Sequence, residues 1–444
     1  MKKYLTAFAA VIAALSLAGC SAEGIAPIVG AGSGGLSESG TAGSSGRFEG
    51  SDIGGRKESF IDKINGIFDG GSKDMSETAD EGLLAEATAP SGDYAGVAIL
   101  PDDCIIDDPE ITPQSGLLTG GEWNDNAHWA DWNALYGSRE DWKGYKNVWN
   151  TVDDYRLTVT VVSDGKPLEG AKVSWGGSVS AVTNNKGEAY LFSDGMPSEV
   201  TVTCGDKSAT SLVDWVLDEH DLYFSVDLDG AVSPISQKLD LMIMCDTTGS
   251  MGDELEYLKV ELEDIVKSIK SNNANIPTRV SVNFYRDTDD EYEVRQFPFS
   301  DNIDEVAEAI REQSASGGGD FPEAVHTALD SAVNNHDWDE DSVKIMFLVL
   351  DAPPHEDAQI VDSVNKYVAE AAEMGIRIVP IASSGIDKST EYLLRAMAFT
   401  TGGTYTFLTD DSGVGGSHIE PTVGAYNVEK LKDMMIRIVN GYLT

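Results

Sequence analysis

Residues 239–255, LDLMIMCDTTGSMGDEL, decide how this chain folds. A run that is almost wholly apolar, 239–245, stops at Asp246 and passes through small hydroxyl residues into a stretch with helical periodicity. A run of that length enclosed on both sides is what a buried parallel strand looks like. Leu255, Leu258, Leu262, Ile265, Val266 and Ile269 give the helix that follows one apolar face. On the turn between strand and helix, Asp246, Thr248 and Ser250 stand at alternate positions, so their side chains can converge on one point. A carboxylate and two hydroxyls are hard oxygen ligands of the kind that Mg²⁺ and Ca²⁺ take. The same residues also read as a plain helix start, with Ser250 capping and Asp253 favouring the first turn. The turn by itself does not separate these readings.

Further along, strand-like runs at 279–286, 343–350, 376–382 and 404–408 alternate with helical patterns, the last of which carries Val428, Leu431, Met434, Met435 and Ile438. Alternation of this kind predicts an α/β, doubly wound, Rossmann-like sheet of mostly parallel strands over residues 237–444. The stretch VNFYRDTDDEYEVRQFPF, 282–299, departs from it and reads as an antiparallel edge hairpin. Ligands of such sheets bind outside the carboxyl ends of the strands, near the reversal of strand order. Three polar clusters are expected to meet there. The first is Asp246, Thr248 and Ser250. The second is the loop SASGGGDFPEA, 314–324, where glycines let the backbone approach closely and Asp320 precedes a helix beginning near Pro322. The third is Asp351, which ends the run VKIMFLVL and opens the loop DAPPHED.

With these clusters in this order, residues 237–444 resemble a von Willebrand factor A-type domain with a metal-ion-dependent adhesion site. Asp246, Thr248 and Ser250 match the first part of that family's motif and Asp351 its final aspartate. The resemblance implies a divalent cation, Mg²⁺ first and Ca²⁺ or Mn²⁺ as alternatives, held directly by the hydroxyls of Thr248 and Ser250, with Asp246 and Asp351 binding it directly or through water. It also implies that an acidic side chain of a protein partner takes the remaining coordination position. Asp320 stands where the family commonly has threonine. Three ionised carboxylates around a dication leave one excess negative charge, which tightens the metal and weakens capture of an outside carboxylate. Asp320 reads equally as a helix cap.

Other residues are candidates for the site wall. Gly319 lies in the glycine loop, and His355 follows Asp351 but is also an ordinary loop position. Arg286 and Asp287 either line the pocket or form an edge ion pair. The loop TDDSGVGGSHIEPTVGAY, 409–426, has no expected secondary structure and should emerge on the metal face, where Asp410, Asp411 and Ser412 could reach a ligand or simply pack over the domain.

Upstream, residues 154–230 alternate apolar and polar positions between the turn signals SDGK, NNKG and SDGMP, which predicts an all-β sandwich. The runs VSDGKPLEGAKVSW and TNNKGEAYLF resemble carboxypeptidase regulatory-like and collagen-adhesin B-type sandwiches, which implies a spacer without catalytic residues. Residues 111–153 hold Trp123, Trp129, Trp132, Trp142 and Trp149. Tryptophans this dense read as a strap packed on a neighbouring domain, with a sugar-stacking platform as the alternative. Residues 20–110, rich in Gly and Ser and then acidic, read as a flexible tether; within it Phe60, Ile61, Ile64, Ile67 and Phe68 fall at helical spacing.

The first twenty residues, MKKYLTAFAAVIAALSLAGC, have two lysines, an apolar core and small residues before a cysteine. That is a secretory signal over 1–19, too short to span a membrane. Its ending resembles the bacterial lipoprotein signal, which implies lipid attachment at Cys20 and an extracytoplasmic protein anchored to the cell membrane. Of the remaining cysteines, Cys245 sits inside the expected buried strand; Cys104 and Cys204 could pair or stay as thiols.

The chain has 444 residues, 75 acidic against 31 basic side chains, and a formal net charge of −44. A balance so acidic, with no basic block, excludes nucleic acid as a partner. No nucleophile and base pair, phosphate loop or imidazole cluster is present, so an enzyme is not expected. The reading reached is a lipid-anchored binding protein that meets a protein or cell-surface ligand through a metal, in adhesion or envelope assembly. A structural envelope protein whose A-type domain works without metal is the alternative.

Overall fold

The computed structural model describes residues 113–214 and 220–444. The signal, Cys20, the tether with its 60–68 stretch, and Cys104 lie outside the described residues. The Trp-rich segment forms strand β1 (Thr119–Trp123) and helices α1 (Trp129–Ser138) and α2 (Glu140–Trp149). Strands β2 (Tyr155–Ser163), β3 (Lys166–Pro167), β4 (Lys172–Trp175), β5 (Val179–Val182), β6 (Glu188–Ser193), β7 (Glu199–Cys204), β8 (Lys207–Leu212) and β9 (Asp221–Asp227) follow. They make two four-stranded sheets, one of β3, β2, β6 and β9 and one in the order β5-β4-β7-β8. Leu157, Val159 and Val161 of β2 share one buried cluster with Val173 and Trp175 of β4 and with Val200 and Val202 of β7. Alternate residues of each strand supply that cluster, as a half-buried pleat requires. Cys204 is buried and its thiol donates to the Val232 carbonyl.

The rest of the chain alternates strand and helix. In order come β10 (Leu239–Asp246), α3 (Gly252–Asn272), β11 (Thr278–Tyr285), β12 (Val294–Arg295), α4 (Ile303–Arg311) and α5 (Val325–Asn334). Then come β13 (Val343–Leu350), α6 (Ala358–Met374), β14 (Ile376–Ala382), α7 (Lys388–Thr401), β15 (Tyr405–Leu408), β16 (Glu429–Lys430) and α8 (Leu431–Leu443). One mixed eight-stranded sheet results, in the order β12-β11-β10-β13-β14-β15-β1-β16. The core strands β11, β10, β13, β14 and β15 are parallel, and β12 pairs antiparallel with β11 at the edge.

Every residue of β10 is buried because the sheet is covered on both faces. Met242 and Met244, with Met346 and Leu348 of β13, face α5, α6 and α7. Leu241, Ile243 and Cys245, with Ile345, Phe347 and Val349, face α3 and α8.

The segment 111–153 does more than lie against this domain. Strand β1 enters the sheet antiparallel to β15, pairing Gly120 with Leu408 and Trp123 with Tyr405. Trp132 and Trp142 are fully buried, packed edge-on to each other and against Phe399 and Tyr392 of α7. The indole N–H groups of Trp132 and Trp149 donate to Asp153 and to the Ser389 carbonyl, at 3.1 and 3.0 Å. A platform for sugars would leave indole faces open, and these are closed. Among the described residues no helix is long and apolar enough to cross a membrane.

Candidate functional site

Asp246 is the last residue of β10, and Asp351 follows the last residue of β13. The chain runs from β10 to β11 on one side and later to β13 on the other, so the strand order reverses between β10 and β13. Two carboxylates therefore stand at the carboxyl ends of adjacent strands, at the crevice where open α/β sheets bind ligands.

The turn after β10 is not built as a helix cap. A short 3₁₀ turn, Gly249–Met251, precedes α3, whose cap position is Met251 with no side-chain bond, so Ser250 does not cap. Its hydroxyl lies 3.1 Å from Thr248 Oγ1 and donates to the Asp351 carboxylate. Thr248 donates to Asp246 Oδ1 through both its N–H and its hydroxyl, at 2.8 and 2.7 Å. Asp246 and Thr248 are fully buried, whereas Ser250 is exposed and gives the cluster its opening to solvent.

The glycine loop is tied to this turn by Gly249 N–H to the Gly317 carbonyl at 3.1 Å and by Ser316 N–H to the Thr247 carbonyl at 3.0 Å. Gly318 has φ +72°, and a Cβ there would lie 2.9 Å from Glu323 Oε1 and 3.4 Å from Thr248 Cβ. Only glycine fits between them. The carboxylate this loop delivers is thus Glu323 and not Asp320. Asp320 and Phe321 are exposed, while Glu323 is buried with its N–H bonded to the Pro353 carbonyl at 2.8 Å. The helix begins at Val325, past Pro322, so Asp320 is not its cap either. The pattern D-F-P-E reads as a helix start with its acid before the proline; the bridge from Glu323 to Pro354 turns the later acid inward, and no local signal announces it.

The electrostatics follow from burial. Asp246 is held above the usual carboxylate range by burial and then by the charge of Asp351, against the bonds from Thr248. Asp351 is raised by burial, opposed by the Ser250 hydroxyl. Glu323 is pushed up to about 9 by burial and by the charges of Asp246, Asp287, Asp351 and Asp290. Asp246 Oδ2, Asp351 Oδ1 and Glu323 Oε2 are buried without any hydrogen-bond partner. Unpartnered buried oxygens are rare and call for an explanation, and carboxylate oxygens of this kind are ligands a divalent cation takes. No group of three or more His, Cys, Asp or Glu side chains suited to a metal occurs among the described residues, so an ion here depends on the hydroxyls as well. The donor set, hydroxyls plus carboxylates, fits Mg²⁺ or Ca²⁺.

The remaining candidates surround this cluster. His355 Nε2 lies 3.0 Å from Asp287 Oδ1, so Asp287 pairs with His355 and not with Arg286. Arg286 stacks over Tyr292 and reaches Glu291 at 3.4 Å. Asp290 accepts the Gly318 N–H at 2.8 Å, and Gly319 is exposed with open space around it. Within the loop 409–426, Asp410–Ser412 form a 3₁₀ turn, Asp411 is exposed, and Ser412 bonds the Thr409 carbonyl. Asp410 acts at one remove: it holds His418 Nδ1 at 2.7 Å, whose Nε2 lies 3.0 Å from Glu254 on α3. Burial opposes protonation of His418, but its bonds to Glu254 and Asp410 win and raise it. Glu254 also accepts the Ser384 N–H at 3.1 Å, which fastens the loop beside the site.

A putative ariadne-like RING finger protein of Acanthamoeba polyphaga mimivirus is 36% identical over 129 residues, 28% of this chain and 12% of that protein. The alpha-protein kinase vwkA of Dictyostelium discoideum is 28% identical over 123 residues, 27% of this chain and 19% of that protein. The chain thus spans under a fifth of either relative. Among solved structures, an aerotolerance-related membrane protein from Bacteroides fragilis aligns at 11% identity and TM-score 0.31, covering 46% of this chain and 98% of that one. BatB from Bacteroides thetaiotaomicron aligns at 13% identity and TM-score 0.32 over the same shares. Residues 240–419 of this chain match the family model of the von Willebrand factor A domain.

Proposed function

We propose that this protein is a non-catalytic recognition protein whose A-type domain binds a protein partner through a divalent cation, Mg²⁺ first, at the carboxyl edge of the parallel sheet. The observation that carries the reading is the chain of contacts that joins Asp246, Thr248, Ser250 and Asp351, with Glu323 beside Gly318, and a buried oxygen on each carboxylate with no partner at contact distance, the Tyr285 hydroxyl being the one further donor near Asp246. In this reading the domain is doubly wound and Rossmann-like, the two smaller sheets are a carboxypeptidase regulatory-like sandwich serving as a stalk, and Cys20 carries a lipid that holds the protein at the outer face of a cell membrane. Its work is adhesion or envelope assembly.

The excess negative charge expected from Asp320 comes instead from Glu323. It favours tight metal and a partner ligand that is neutral, or an acidic one flanked by basic residues. Calorimetry with Mg²⁺, Mn²⁺ and Ca²⁺ on residues 113–444, followed by capture from envelope extract with and without chelator, tests this. Saturable metal binding and chelator-sensitive capture, both lost in Asp246→Ala, are expected. Capture that persists in chelator would leave the structural alternative standing.

A further inference from the structure

At the end of the sheet opposite the carboxylate site lies a cavity of about 120 Å³, lined by Glu169, Val182, Asn184, Lys344, Arg377 and Tyr442 among others. Lys344 and Arg377 are the second residues of β13 and β14, which are neighbours in the sheet. Each is only 6% exposed. Lys344 Nζ donates to the carbonyls of Glu340 and Ser342, both at 3.1 Å. Arg377 donates to the carbonyls of Thr401 and Val182, at 2.8 and 2.7 Å. Neither meets a carboxylate at ion-pair distance among the described residues.

Buried cations are ordinarily paired, because an isolated charge out of water is costly. In a chain with 75 acidic and 31 basic side chains, acids were available for pairing. Here two cations share one cavity and hydrogen-bond only to neutral carbonyls, and burial lowers both from their ordinary values. Glu169, half-buried in the same lining, is raised by burial even though Arg377 pulls it down. What the cavity lacks among the described residues is an acid at ion-pair distance from either cation, since Glu169 acts on Arg377 only from farther off.

We propose that this cavity binds a small oxyanion, a carboxylate or phosphate group, between Lys344 and Arg377. A guanidinium carries five N–H donors and an ammonium three; the carbonyl bonds use two of each, which leaves donors from both side chains for the anion. The volume suits a free anion or a terminal group and excludes a ligand of nucleotide size. Because Val182 lies on β5 and Lys344 and Arg377 on the large sheet, the bound anion would also tie the smaller sheets to the A-type domain.

The test is calorimetry on the full chain in chloride-free buffer with chelator present throughout, inorganic phosphate in one arm and acetate in the other. Keeping divalent metal out makes the result independent of the site at the other end of the sheet. Saturable binding in at least one arm is expected, and the tighter arm identifies the source. Lys344→Gln, which leaves both guanidinium bonds in place, should weaken it tenfold or more. Glu169→Gln should tighten it severalfold. Absence of saturable binding in both arms, or unchanged affinity in Lys344→Gln, would overturn the proposal.

Discussion

Burial sets the charge of the site carboxylates before any ligand arrives. Glu323 is raised to about 9, and Asp246 and Asp351 also stand above their usual range. A carboxyl with a raised folded pKa binds its proton more tightly in the native state, so the stability it contributes is full below the unfolded value and is lost as pH climbs through the folded one. Without metal, the melting temperature should therefore fall between about pH 5 and pH 8. A dication removes the cause of the fall. At a hundredfold excess over its Kd it adds about 2.7 kcal/mol, or roughly 5 °C, with the gain larger at pH 8 than at pH 5. Asp246→Asn should abolish the gain and flatten the slope; a metal-dependent shift that survives the substitution would take Asp246 out of the site. Glu323→Gln, close in shape to a protonated glutamate, should change metal-free stability at neutral pH by less than about 1 kcal/mol yet lower metal affinity, while Asp320→Asn leaves affinity unchanged. That contrast also marks what could be read at this scale. Asp246, Thr248, Ser250 and Asp351 were legible because each sits at the end of an apolar run. Glu323 was not, because a bond to Pro353 from a distant loop turns it inward.

Elements were legible where their packing is two-sided and invisible where the packing is backbone against side chain. The run VKIMFLVL announces β13 by composition. The run TGGEW at β1 has no alternation, yet its glycines are what admit it to the sheet. A Cβ on Gly120 would lie 2.7 Å from the Phe407 carbonyl oxygen and 2.9 Å from Met434, and one on Gly121 would lie 2.5 Å from the Phe407 ring and 2.8 Å from Tyr426. Gly121→Val should therefore destabilise by about 1–3 kcal/mol through overpacking, visible as a lower denaturation midpoint with an unchanged slope. The loop 409–426 is a similar case: its later half is held through Thr422 by Glu391 and Arg395, and its earlier half is tied to α3 by His418. His418→Ala leaves Glu254, 1% exposed, without its imidazole partner. About 1–3 kcal/mol of local stability should be lost, and amide exchange across 410–418 should quicken while β10, β13 and the part of the loop held through Thr422 stay protected. Because His418 is raised in the folded state, its contribution is complete below about pH 6.5 and fades as pH rises through the folded value. The wild-type loop should then exchange faster in alkali than pH-driven chemistry alone explains. Equal corrected rates at pH 6 and pH 9 would mean the imidazole does not hold the loop.

At the scale of the whole molecule, the large sheet takes in a strand from upstream of the boundary expected at residue 237. Composition separates the Trp-rich segment from the A-type domain, but the sheet does not, because β1 stands between β15 and β16 and covers what would otherwise be an open edge. Asp125 and Arg395 join the two at 2.6 and 3.0 Å, with side chains 2% and 1% exposed. Removing one partner of such a buried pair costs about 3–5 kcal/mol, and because Arg395 keeps Glu391 at 3.6 Å the lower end applies here. Asp125→Ala should cost that much, more than most surface changes combined. The same reasoning predicts that residues 237–444 alone do not form a stable domain. They would expose the edge of β15, the apolar face of α7 and an arginine that has lost its closer carboxylate and keeps only Glu391 at 3.6 Å, and exposed edges with apolar surface invite aggregation. Residues 113–444 should give a single cooperative transition and a monomer on gel filtration, whereas residues 237–444 should aggregate or unfold well below it. A shorter fragment as stable as the longer one would show that β1 and the tryptophans decorate the A-type domain without completing it, and metal binding could then be studied on that fragment alone.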